Sequence, residues 1–289
     1  MPPVSVDAWA KVNLFLHVTG KRDDGYHLLD SLVVFAGIGD TVAVAPAESL
    51  GLTVTGPTAP LLDDLDGDNI VLTAARKLAT LCGVQANAHI TLTKRLPVAA
   101  GIGGGSADAA AALRALMTLW QVSPNTTRLH DLALSLGADV PVCLRGTPTR
   151  MFGIGEKLEA APTLPPAWLV LVNPRIGLST PAVFKARQGC FRDALPLTNA
   201  PRDAADLAVQ LRYRANDLAA AAQSLVPEIT QALDLLNNTP NCLLARMSGS
   251  GATCFGLYAD PASAQAAASQ ILSHRPGWWC HAAPMLSTP

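Results

Sequence analysis

Pro97-Val98-Ala99-Ala100-Gly101-Ile102-Gly103-Gly104-Gly105-Ser106-Ala107-Asp108 puts four glycines in five positions. It then runs into Ser106 to Trp120, rich in Ala and Leu and free of Gly and Pro. That composition predicts a helix beginning at Ser106, so the glycine loop feeds a helix N-terminus. Backbone N–H groups with no Cβ in the way form a concave array of donors. The helix dipole adds roughly half a positive charge at the same point. A polyphosphate is the ligand such a loop suits, and Ser106, in the first turn, is placed to reach a phosphate or a Mg²⁺ ion.

Two other glycine signatures fail on spacing. A P-loop needs Gly-x4-Gly-Lys-Ser/Thr, and the run contains no lysine; a dinucleotide fingerprint starting at Gly101 would need glycine where Ser106 stands, and one starting at Gly103 where Asp108 stands. A merely flexible turn needs one or two glycines, not four before a defined helix start.

Outward from the loop, His89 to Thr93 reads as a strand, and Asn69 as the cap of a helix over residues 70 to 82. Residues 4 to 55 read as strands, with Val12, Leu14, Leu16 and Val18 alternating with Asn13, Phe15 and His17, and a turn between Gly20 and Gly25. On the other side, a helix near 126 to 136 is expected to stop at Gly137 in the left-handed conformation, followed directly by Asp139 and Pro141. Ala160 to Ala167 holds three prolines before the strand-like Trp168 to Val172, which makes it the expected domain junction. Beyond it, helices near 202 to 212, 217 to 223, 227 to 237 and 261 to 274 mix with strands near 243 to 247, 252 to 258 and 279 to 285. The fold class is α+β.

Bulk properties narrow the function. Of 289 residues, 49% are hydrophobic and 15% charged, which excludes disorder and fits two domains with large buried fractions. A formal net charge of −1 offers no broad positive field for nucleic acid or an anionic membrane, so phosphate must be held locally. Cys82, Cys143, Cys190, Cys242, Cys254 and Cys280 include no CxxC pair and read as thiols in a reducing compartment. With no signal-peptide pattern and no long apolar run, a cytoplasmic location is expected. Asp63 to Asp68 lacks calcium-loop spacing and reads as solvated surface. His17, His89, His130, His274 and His281 share no metal-ligand spacing, and no metal-ligand set is assigned.

The glycine run resembles the phosphate-binding motif of the GHMP kinases, the superfamily of galactokinase, homoserine kinase, mevalonate kinase and phosphomevalonate kinase. Ala10-Lys11-Val12-Asn13-Leu14 resembles that superfamily's first motif and Met247 to Phe255, containing Ser248-Gly249-Ser250-Gly251, its third. Gly25-Tyr26-His27-Leu28-Leu29-Asp30-Ser31 and Leu136-Gly137-Ala138-Asp139-Val140-Pro141 are similar to segments of its branch that acts on a cytidine-diphosphate alcohol. Trp9 stands where proline is common and Ile102 where leucine is common; neither change removes a functional group.

The resemblance implies an N-terminal ribosomal-protein-S5-domain-2-like domain over residues 1–160 and a C-terminal ferredoxin-like domain over 161–289. It implies ATP-dependent phosphorylation of the 2-hydroxyl of a cytidine-diphosphate methylerythritol in the non-mevalonate isoprenoid route, with Mg²⁺. Residues 97 to 107 would bind ATP. Asp139 would be the base, although before Val140-Pro141 it also reads as a helix N-cap. Lys11 reads alone as snorkelling at a strand edge; the family motif makes it the group that orients Asp139 and stabilises developing charge, with Asn13 sharing its strand face. Tyr26 and His27 would form the cytidine pocket and Phe184 its opposite stacking face. Ser248 to Gly251 reads either as a hairpin turn or as a loop allowing close backbone approach to the phosphate region. The alternatives are a homoserine- or mevalonate-type acceptor, a nucleotide sensor without catalysis and, last, a dinucleotide oxidoreductase. The ligands of Mg²⁺ (Ser106, Asp108 or only phosphates and water) and the oligomeric state stay open.

Overall fold

The structure, a computed structural model, describes residues 3–62 and 69–287; the acidic stretch Asp63 to Asp68 lies outside them. The chain forms two compact units that are not consecutive halves. The first gathers the described residues of Met1–Ala10, Gly39–Val98 and Gly103–Gly146, the second Lys11–Ile38, Ala99–Ile102 and Thr147–Pro289. The proline-rich stretch near residue 160 therefore falls inside the second unit instead of dividing two. The reason is strand length. β1 (Val4–Lys21) and β2 (His27–Ala45) are each long enough to supply strand to both units.

In the first unit, β3 (Gly51–Thr55) runs parallel to β4 (His89–Thr93), which pairs antiparallel with Thr41 to Ala45 of β2. α1 (Ile70–Cys82) starts where the Asn69 side chain accepts the Val71 N–H at 3.0 Å and stops at left-handed Gly83. α2 (Gly104–Leu119) begins two residues earlier than Ser106, because Gly103 takes the N-cap position in a left-handed conformation closed to most other residues. Ala107 to Leu113 of α2 are all buried; alanines there let α1 and α4 (Val140–Arg145) approach closely. α3 (Thr126–Leu136) ends at Gly137, but in extended backbone with φ 161° instead of the left-handed cap.

The second unit is built on a sheet in the order β10 (Trp279–Leu286), β7 (Trp168–Asn173), β9 (Cys254–Tyr258), β8 (Leu244–Met247), all antiparallel. The end of β10 also pairs with Phe35 and Ala36 of β2, and β2 with β5 (Thr149–Gly153), which turns back into β6 (Lys157–Ala160). α5 (Thr180–Ala186), α6 (Ala204–Arg212), α7 (Ala219–Leu225), α8 (Glu228–Asn237) and α9 (Pro261–His274) complete it. Val170, Val172, Ile229, Leu236, Cys254, Tyr258 and Ile271 form the centre of its core. The alternation in β1 suggested a strand buried on one face; in fact Ala10 through Val18 are buried on both. No helix among the described residues is long and apolar enough to cross a membrane.

Asn69→Ala removes the acceptor that satisfies an orphan donor of α1 and is expected to cost about 1 kcal/mol in urea unfolding. An unchanged midpoint would show that the cap contributes nothing.

Candidate active site

Successive residues of the glycine loop alternate in handedness. Ala99, Gly101 and Gly103 have φ of 50°, 73° and 65°, while Ala100 and Ile102 stay outside the positive region. Left-handed residues at every second position are one element of the backbone arrangement known as an anion nest. Within the second unit the loop's carbonyls are held from the other side. Ala99 accepts from Leu178 N–H (3.5 Å), Ala100 from Thr253 N–H (3.1 Å), Gly101 from the Ser248 hydroxyl (3.2 Å) and Ile102 from Lys11 N–H (3.0 Å). Because each peptide is planar, fixing a carbonyl fixes the following N–H in the opposite direction.

The glycines serve different ends. A Cβ on Gly101 would lie 2.5 Å from the Gly251 carbonyl oxygen and 2.8 Å from that of Ser248. Packing therefore forbids any side chain there. On Gly104 or Gly105 a Cβ would make only ordinary contacts, 3.7 Å from Lys94 Nζ and 3.9 Å from Ile70. Packing does not require glycine at those two positions.

Beneath the first turns of α2, in the first unit, Lys94 is nearly fully buried between Asp40 and Asp108. Its Nζ donates to Asp108 Oδ2 at 2.6 Å and to Asp40 Oδ2; Asp40 Oδ1 also accepts the Arg95 and Leu96 N–H groups at 2.5 and 2.9 Å. Burial disfavours the Lys94 charge, but the two carboxylates outweigh it and raise its pKa. Two carboxylates facing one ammonium leave a surplus negative charge, and burial pushes the Asp108 carboxyl up to about 7. Asp108 Oδ2 is thus paired with Lys94, while its Oδ1 is buried without a hydrogen-bond partner. Among the described residues, no group of three or more His, Cys, Asp or Glu could hold a metal ion.

Asp139 occupies the N-cap position of α4, but its side chain makes no capping bond, so the cap reading does not hold for its carboxylate. Pro141 sits in the first turn, as Pro at that position favours. The other end of α4 is tied down by Arg114 of α2, whose guanidinium donates to the Cys143 and Leu144 carbonyls at 3.1 and 2.5 Å.

In the second unit Lys11 is 3% exposed, not snorkelling at an edge, and its ammonium donates to Asn13 Oδ1 at 3.0 Å. The Asn13 amide nitrogen donates onward to Ser31 Oγ at 2.8 Å, and Asn13 N–H donates to Ser248 Oγ at 3.1 Å. Ser248 to Gly251 lies in the β8–β9 hairpin and packs on the Gly101 backbone. His27 and Phe184 are also brought together, rings stacked at 4.9 Å and 23°. Burial, then Lys21 and Arg187, lowers the His27 pKa, so a neutral imidazole with one donor and one acceptor is presented. Tyr26 is 61% exposed beside it. The sequence reading missed Phe191, whose ring meets His27 edge-on at 6.5 Å, because it lies in irregular chain with no periodicity to mark it.

A phosphate nest leading into a helix, in an α+β chain with a second glycine loop packed on it, defines a nucleotide-dependent phosphotransferase of non-P-loop type. The family described as GHMP kinases N terminal domain matches residues 69–147, and GHMP kinases C terminal matches 195–276. These two segments fall on either side of residue 160 although the packed units interleave. A 4-diphosphocytidyl-2-C-methyl-D-erythritol kinase from Paramagnetospirillum magneticum is 63% identical over 99% of this chain and 100% of its own length. One from Rhodospirillum rubrum is 57% identical over 95% and 90%. A crystal structure of 4-(cytidine 5'-diphospho)-2C-methyl-D-erythritol kinase superposes with TM-score 0.79 at 33% identity, covering 97% of this chain and 98% of that one. The homoserine kinase of Cytophaga hutchinsonii, TM-score 0.73 at 16% identity, shares the fold. The chain belongs to the GHMP kinases, ATP-dependent enzymes with the two-domain α+β fold.

Two outcomes test the loop and its support. Gly101→Ala is expected to destabilise the protein by about 3 kcal/mol in urea unfolding, from backbone overlap and the left-handed φ; a loss below about 1 kcal/mol would refute the close approach. Asp108 has a folded pKa above its unfolded value, so the folded chain binds its proton more tightly. Its stabilising contribution is present below about pH 4 and is lost as pH rises through about 7. Asp108→Asn should therefore flatten the decline in urea midpoint over that window, and an equally steep decline would exclude Asp108 as its source.

Proposed function

We propose that this chain transfers the γ-phosphate of ATP to the 2-hydroxyl of 4-diphosphocytidyl-2-C-methyl-D-erythritol. The observation that carries this is the 63% identity with the Paramagnetospirillum magneticum enzyme of that name, end to end in both chains. The nest at Ala99 to Gly103 supports ATP binding, with Pro97 to Ala107 as its loop. Stacked His27 and Phe184, with Tyr26 beside them, support a flat heterocycle on the acceptor.

In this reading the acceptor hydroxyl attacks the γ-phosphorus in line. The bond from that phosphorus to the ADP oxygen breaks, a bond to the acceptor oxygen forms, and the hydroxyl proton passes to the Asp139 carboxylate. Lys11, held by Asn13, stabilises charge on the acceptor oxygen and the transferring group. Ser106 in the first turn of α2 is the side chain that would hold Mg²⁺, which would neutralise phosphate charge. Six free thiols support a reducing, cytoplasmic setting.

Coupled ADP release should appear with the cytidine-diphosphate acceptor and stay at background with homoserine or mevalonate; the reverse pattern would overturn the substrate assignment. Asp139→Asn should lower kcat roughly 10²- to 10⁴-fold with an unchanged circular-dichroism spectrum, and full turnover would remove Asp139 as the base.

A further inference from the structure

The segment Arg214 to Leu218, between α6 and α7, takes no part in the chemistry above, yet its backbone is laid along β1. Leu16 N–H donates to the Ala215 carbonyl at 3.0 Å and Asp217 N–H to the Leu16 carbonyl at 2.9 Å, a parallel bridge centred on Asn216. Asp217 Oδ2 accepts Val18 N–H at 3.0 Å. The bridge aims the Asn216 side chain at the glycine loop of the β8–β9 hairpin. Its Nδ2 donates to the Met247 and Gly249 carbonyls, both at 2.8 Å, and its Oδ1 accepts Leu218 N–H at 3.0 Å. The residue is 7% exposed.

We propose that Asn216 is a positioning residue for ATP binding: its carboxamide grips the Met247–Ser248 and Gly249–Ser250 peptides and so sets Ser248 against the Gly101 turn of the phosphate loop. The Met247 carbonyl is held by Asn216 and the Ser248 carbonyl accepts Gly251 N–H at 3.0 Å, so both planar peptides flanking Ser248 are fixed and only its side-chain torsion remains. The Ser248 hydroxyl then accepts Asn13 N–H and donates to the Gly101 carbonyl. The Gly101 carbonyl shares its peptide plane with Ile102 N–H, a donor of the nest, so a shift of Ser248 rotates that donor. Gly249 adds a steric stop, since its Cβ position lies 2.6 Å from the Gly101 oxygen. Only a carboxamide of this length serves: aspartate would set oxygens against two carbonyl oxygens, and serine supplies one proton where two are used.

The inference rests on the reading of this loop as the ATP site. Binding of a non-hydrolysable ATP analogue, followed by calorimetry, tests it without any acceptor. Asn216→Asp and Asn216→Ser should each raise the analogue Kd and the KM for ATP about tenfold or more, while the KM for the acceptor stays within twofold. Ser248→Ala should reproduce the loss, and Asn216→Ser combined with Ser248→Ala should be no weaker than the worse single variant. Unchanged analogue affinity in both Asn216 variants would overturn the proposal. So would fully additive losses, or ATP and acceptor constants rising together as the melting temperature falls. A wild-type protein that fails to bind the analogue would overturn the ATP reading as well, whereas normal wild-type binding with unaffected variants would overturn this inference alone.

Discussion

Gly101 and the Ser248 to Gly251 loop pass so close that neither can carry a side chain at the crossing. The Gly101 Cβ position would overlap the Gly251 peptide, and the Gly249 Cβ position would overlap the Gly101 carbonyl. A backbone-to-backbone contact of this kind has no flexible part to give way, unlike a contact between side-chain tips. It therefore fixes the phosphate loop to the hairpin rigidly, and the hydrogen bonds at Ala100, Gly101 and Ile102 set its orientation. Lys11 is drawn into the same frame, because its N–H is one of those donors and its ammonium is held by Asn13 on the next position of the same face.

Buried charge is handled in two ways, each tied to a site element. In the first unit, Lys94 sits between two carboxylates at the base of α2, so that helix is anchored by an ionic contact at its second turn. Removing Lys94 would leave two buried carboxylates uncompensated, whereas removing one carboxylate would leave a balanced pair. In the second unit, Arg246 donates to the carbonyls of Leu14, Leu211 and Arg214 at 2.7 to 3.0 Å. Burial and the neighbouring Arg214 pull its pKa down to about 10, still well above neutrality, so the cation persists and joins β1 to the end of α6.

Local chemistry was legible where one residue decides the outcome. Asn69 as a cap and the bounds of α1, α3, β4 and α9 follow from side-chain and backbone preferences that need no distant partner. The start of α2 was misplaced because low helix propensity argues against glycine inside a helix, while the nest requires Gly103 to be left-handed and lets the helix begin at Gly104. α5, β5 and β6 were not read from sequence: they are short, and pairing with β2 or packing on α7, not local propensity, decides them. The interleaving of the units was also hidden, since nothing in the composition of β1 or β2 marks residue 10 or residue 38 as a boundary. Of the site, Lys11, Asn13, His27 and Phe184 were legible through the family's motifs. Lys94, Asp40 and Asn216 were not, because each holds partners between 14 and 56 positions away along the chain.

The four glycines at 101, 103, 104 and 105 thus answer to separate constraints that happen to be adjacent. Gly101 is required by a neighbouring backbone, Gly103 by handedness at the helix cap, and Gly104 and Gly105 by neither. This division explains why the run matches no P-loop or dinucleotide spacing, since those patterns space glycines for other turns and a different neighbour. It also explains the missing lysine. A P-loop carries its own cation into the phosphates. Here the nearest lysine in sequence, Lys94, is spent on two buried carboxylates. In the proposed function, attraction for phosphate at this loop would come from backbone donors and the α2 dipole, both of which depend on the loop being held in one conformation. A kinase built this way trades a mobile charged side chain for a rigid backbone, and its phosphate affinity becomes a property of packing.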